Sequence, residues 1–142
     1  MLTKKDYCDY DTCVALREMG YDGYCAAYYH LFDDEDDARN SFEYAYGFDF
    51  QNSNNIYRVG APLLYQAQKW LREEKKIDVL IEIECKDVHL SSKHYSVFIS
   101  YMGRFMRRFQ YLSNEFDSYE EALSEGIKEA VKILKEDETI FR

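Results

Sequence analysis

The sequence predicts an α+β fold: a short N-terminal helix and an aromatic β-hairpin, then an α-β-β-β-α unit with helices packed on an antiparallel sheet. Three observations carry that expectation. Residues 42–50 alternate Phe42, Tyr44, Tyr46, Phe48 and Phe50 with Glu43, Ala45, Gly47 and Asp49, the period of two that marks a strand. Three further alternating runs lie between 79 and 112, joined by short polar or Gly-containing links, so consecutive antiparallel pairing is the economical topology. Near the C-terminus, Leu123, Ile127, Ala130, Val131 and Leu134 fall at helical spacing.

Taken in order, the first element is a helix over residues 10–19. Asp9 or Asp11 can cap it, and Gly20 stands where a left-handed C-terminal cap is wanted. Tyr10, Cys13, Val14 and Met19 supply its expected buried stripe. Aromatic residues then favour a strand through Tyr21–Phe32, which the acidic run Asp33–Asp37 interrupts. That run is expected as a solvated hairpin tip, and residues 51–55 read as a loop. Pro62 suits the first position of a helix that carries Leu63, Ala67, Trp70 and Leu71 on one face and ends near Lys75 or Lys76.

Strands follow at 79–85, 94–102 and 105–112. In the last, Phe105, Arg107, Phe109 and Tyr111 share a face opposite Met106, Arg108, Gln110 and Leu112. Ser118 and Glu121 match a capping box for the final helix, whose Glu120, Glu121, Lys132 and Lys135 suit its dipole. Residues 136–142 are expected to fray. The whole reads as one domain over 1–142, with 1–58 as helix plus hairpin and 59–142 as the α-β-β-β-α unit.

Charge narrows the function. The chain has 142 residues and a net charge of −9. Residues 1–50 hold 12 acidic and 4 basic side chains, whereas 51–115 hold 10 basic and 7 acidic. An acidic protein repels phosphate backbones and anionic membrane surfaces at long range, so nucleic acid is disfavoured as a partner except through a basic patch in the middle segment. No apolar run approaches the ~18 residues of a membrane helix, and no secretory signal opens the chain. Cys8, Cys13, Cys25 and Cys85 form no CxxC pair, which points to reduced thiols in a cytoplasmic protein and to no metal.

Whole-chain motifs carry a resemblance. ALREMGYDGYCAAYY, Ala61-Pro62, Trp70-Leu71-Arg72-Glu73 and Tyr119-Glu120-Glu121-Ala122 resemble a family of small proteins of unassigned function from gut Bacteroidales bacteria and their phages and prophages. The resemblance implies an origin and brings no site residues with it. The order α-β-β-β-α over 62–135 is also similar to double-stranded-RNA-binding domains, which grip phosphates with a Lys-rich start to the last helix. Here that position reads FDSYEEAL, which is acidic. Small antitoxin-like domains share the same order.

Catalytic signatures are missing. His30, His89 and His94 stand in no HExxH or HxH pattern, and neither a nucleophile motif nor a phosphate loop is present, so no catalytic residue and no cofactor is expected. What remains is surface chemistry. Nine of the 14 tyrosines lie in the first 57 residues, too many phenols for a domain of this size to bury with partners. Tyr44 and Tyr46, with the acidic tip Asp34, Glu35 and Asp36, are therefore the expected contact surface for a protein partner or a second copy of the chain. The alternative is nucleotide or nucleic-acid contact through Arg104, Arg107 and Arg108, with Phe105, Phe109 and Tyr111 to stack bases.

Overall fold

A computed structural model of the chain describes residues 2–45, 50–51, 56–85, 93–103 and 105–140. The fold is α+β, with helices and antiparallel sheets divided between two compact units, Met1–Ala67 and Gln68–Arg142. No helix among the described residues is long and apolar enough to cross a membrane.

In the first unit, α1 (Tyr10–Glu18) starts where the Asp9 side chain accepts the Thr12 N–H at 2.9 Å. It ends as Gly20 allowed: with φ at +104°, Gly20 N–H bonds Arg17 O and Tyr21 N–H bonds Leu16 O. The buried stripe is Thr12, Cys13, Ala15 and Leu16, whereas Tyr10, Val14 and Met19 are only half-buried. Burial follows the wide face centred on Leu16, which the short helix presses into the core.

The aromatic segment folds as β1 (Tyr24–Cys25) and β2 (Ala27–His30), followed by β3 (Glu43–Tyr44), β4 (Phe50–Gln51) and β5 (Arg58–Gly60). β2 is central, antiparallel to both β3 and β5, and β1 pairs with β4. The β2–β3 hairpin forms, but its tip is structured: Glu35–Arg39 is a short helix, α2, anchored by the fully buried Ala38. Asp34 caps it by accepting the Asp37 N–H at 3.0 Å, which converts an acidic loop into a helical turn. Residues 46–49 and 52–55, including Tyr46 and Phe48, lie outside the described residues. On the inner side of β2, Tyr29 is buried and packs edge-on against Tyr10 and Phe42. Tyr7, Tyr21 and Tyr29 are buried, while Tyr24, Tyr44, Tyr57 and Tyr65 are exposed, so the tyrosines divide between core and surface.

Pro62 does not open the third helix. It is buried, and α3 (Leu64–Glu74) begins after Leu63, whose N–H is held by Gln66 Oε1 at 2.9 Å. The boundary between the two units lies within this helix.

In the second unit, β6 (Ile77–Cys85), β7 (Lys93–Met102) and β8 (Arg107–Phe116) pair in sequence order. α4 (Tyr119–Ile140) packs on one face of this sheet. Ser118 Oγ accepts the Glu121 N–H at 3.1 Å to start it. The buried seam joins Ile77, Val79, Val97 and Ile99 to Leu123, Ile127, Ala130 and Val131. Ile83, expected on the same face, is 57% exposed toward the far end of the edge strand. The helix continues through Ile140 instead of fraying from residue 136.

Candidate partner-binding cleft

The alternation of β2 sends Ala27 and Tyr29 inward and Tyr28 and His30 outward. The antiparallel register sets Glu43 of β3 directly opposite Tyr28. Three functional groups therefore converge on the outer face. The Tyr28 hydroxyl donates to Glu43 Oε2 at 2.7 Å, and His30 Nε2 lies 3.3 Å from Glu43 Oε1. The phenol, chiefly, and the imidazole hold the Glu43 carboxyl below its ordinary value of 4.5, so the group stays ionised. Arg58 from β5 sits 4.7 Å above the Tyr28 ring, and Phe50 stacks on that ring at 5.1 Å. The strand trio is thereby fixed from both sides.

The connection to α2 completes a wall. His30 stacks on Phe32 at 5.2 Å with planes 8° apart. Ser41 Oγ accepts the His30 N–H at 2.8 Å and donates to Ala38 O at 2.6 Å, tying the strand end to the helix. The result is an open cleft of about 720 Å³ lined by His30, Phe32, Asp33, Asp34, Asp37, Asn40, Ser41 and Glu43. Four of these side chains are carboxylates, and no Lys or Arg is among them.

The acidic tip is thus sorted by geometry. Glu35 and Asp36 pair with Arg39 at 3.1 and 3.2 Å, and Arg39 also forks onto Asp11 at 3.0 and 3.1 Å. These three carboxylates share one guanidinium, and the bonds raise the Arg39 pKa further. Asp34 serves as the cap and lines the cleft. Asp33 and Asp37 face the cleft with no ion-pair partner among the described residues. Tyr44 is 55% exposed but alternates to the other face of β3, where it meets Tyr7 and Phe42 at 6.0 and 5.1 Å. The structure therefore separates Tyr44 from the acidic residues, and Tyr46 lies outside the described residues. Sequence reading missed His30, Phe32 and Glu43; the spacing Tyr28-x-His30-x-Phe32 was the available signal, but it needed the β2–β3 register to give it a partner.

The arginines divide as strand alternation requires. Arg107 is on the sheet face away from α4 and donates from Nε to Ser100 Oγ at 2.8 Å. Arg108 is on the opposite face, beside Gln110, which bonds Glu129 of α4 at 2.6 Å. Arg104 and His89 lie outside the described residues. His94 is on β7, 3.6 Å from Glu115.

The thiols of Cys8, Cys13 and Cys25 are free and fully buried. Burial pushes the Cys25 thiol up to about 12 and raises those of Cys8 and Cys13 as well, so all three are neutral core groups. Among the described residues, no three His, Cys, Asp or Glu side chains are placed to hold a metal ion. No protein-family model matches the chain, and neither a curated protein nor a solved structure matches it.

Proposed function

We propose that the protein is a non-enzymatic interaction protein and that its acidic cleft takes a Lys- or Arg-bearing segment of a protein partner. The observation that carries this reading is the charge of the cleft lining: Asp33, Asp37 and Glu43 line it with no Lys or Arg, while Arg39 is engaged by Asp11, Glu35 and Asp36 and Arg58 lies over the Tyr28 ring. A carboxylate fork suits an ammonium or guanidinium, and the His30–Phe32 stack offers a flat surface beside it. The direction of the Glu43 shift supports binding over catalysis. A general base is tuned upward toward neutral pH, whereas Glu43 is held lower and permanently charged. An origin in a phage or other mobile element, suggested by the family resemblance, is part of the same proposal.

The test is anisotropy of a fluorescent Arg/Lys-rich peptide, with an Asp/Glu-rich peptide as control. The basic peptide should bind in a salt-sensitive manner, and Asp37→Asn with Glu43→Gln should weaken it by about tenfold. Equal binding of both peptides, or of the basic peptide by wild type and double variant, contradicts the proposal.

A second reading, nucleotide or nucleic-acid contact through Arg107, has one observation in its favour. Phe98 and Phe109 stack at 5.3 Å on the face that carries Arg107, beside the exposed Tyr111. Asp78 and Glu82 on that same face, and Arg108 on the other, weigh against it.

A further inference from the structure

The sheet of the second unit has two faces, and α4 covers one. The register places Leu80, Phe98, Phe109 and Tyr111 together on the other, with Met102 and Arg107 at one end. Exposure there is high: Leu80 46%, Met102 56%, Phe109 59% and Tyr111 53%. At ~200 Å² for a large side chain, these amount to about 430 Å² of exposed, largely apolar surface. A patch of this size is often functional, and it supplies about half of the ~800 Å² that each partner contributes to a stable interface, the charged strand ends making up the rest.

Charge on this face is polar along the strands. At one end Asp78 lies 4.0 Å from both Arg72 and Arg107, which leaves a net positive charge. The other end carries Glu82, and Glu115 beside His94, which leaves it negative. A two-fold axis crossing the strands near the row Leu80–Phe98–Tyr111 reverses the strand direction of the second copy. It lays β8 on β8 and sets Arg107 of each copy toward Glu115 of the other, with the aromatic centre between them. A phosphate backbone has no counterpart for the acidic end.

We infer that this face is the homodimer interface, occupied by a second copy of the chain in this antiparallel, isologous arrangement. The test is sedimentation equilibrium of the full chain across a concentration series, with far-UV circular dichroism to confirm folding. Wild type should reach twice its 17.0 kDa. Phe109→Asp should raise the dimer Kd by about thirtyfold, the scale of an interface hot spot. Arg107→Glu, a polar exchange on the surface that leaves the core untouched, should also weaken the dimer, and adding Glu115→Arg should restore it. The inference is overturned if wild type stays at 17.0 kDa at every concentration, or if folded Phe109→Asp and Arg107→Glu proteins dimerise as wild type does. It is also overturned if wild type is monomeric and binds a single-stranded oligonucleotide that the Phe109→Asp protein does not.

Discussion

Glu43 faces Tyr28 across the β2–β3 ladder and accepts a 2.7 Å hydrogen bond from its hydroxyl, while His30 holds the other carboxylate oxygen at 3.3 Å. One cross-strand pair thus links the hairpin's backbone register to the charge of the cleft. Slipping the register by one residue would turn Glu43 away and put Tyr44 in its place.

This pair sets a pH dependence. Because the folded Glu43 pKa lies below its ordinary 4.5, the carboxylate's contribution to stability is fully present above 4.5 and is lost as pH falls through the folded value. Glu43→Gln should therefore melt at a lower temperature than wild type at pH 7. The difference should shrink as pH drops below 4.5. Thermal melts of both proteins from pH 7 down to pH 3 check this, and a difference that persists unchanged would contradict it.

At Gly126, α4 packs tightly against Val79 and Val97 of its sheet. A Cβ there would lie 2.5 Å from Val79 Cγ1 and 2.9 Å from Val97 Cγ1. Alanine is ordinarily the better helix former by ~1 kcal/mol, yet Gly126→Ala should destabilise by about 1–3 kcal/mol, since both valines are buried and cannot retreat. Gly103→Ala meets only the Arg108 side chain, at 2.7 Å from Nε, and that side chain can swing aside. Its cost should stay within about 0.5 kcal/mol. Denaturant melts of the two variants separate these outcomes.

The three buried thiols should resist modification. With the Cys25 thiol held near 12 and the Cys8 and Cys13 thiols also raised by burial, almost no thiolate exists at pH 8. Iodoacetamide labelling followed by site-resolved mass spectrometry should find these three unmodified in folded protein and fully modified in denaturant. Rapid labelling of Cys8, Cys13 or Cys25 without denaturant would show that the core around them opens.

Much of the fold was legible in the sequence because its signals are local. Gly20, the Ser118–Glu121 cap and the alternation around Val97 and Ile99 each report on a few neighbouring residues, and the structure uses all of them. The helix inside the acidic run was missed because its formation rests on one cap, Asp34, and one buried contact, Ala38, and neither stands out among five acidic residues. Likewise β5 has a short Arg58–Gly60 span and becomes a strand only by pairing with β2. The cleft was only half legible for the same reason. Asp34 was marked by charge density, but Glu43, His30 and Phe32 acquire meaning through cross-strand register and ring stacking, which link residues 11–15 positions apart. Sequence could not show that Arg39 also binds Asp11, which lies 28 residues away.

The most direct test of the account is a titration of isotopically labelled protein with an Arg/Lys-rich peptide, followed by amide and imidazole resonances. The account predicts saturable shifts at Phe32, Asp37 and Glu43 and at the His30 ring, with the α4-covered sheet residues Val97 and Ile99 unmoved. Shifts confined to the second unit, or none at low salt, would contradict it.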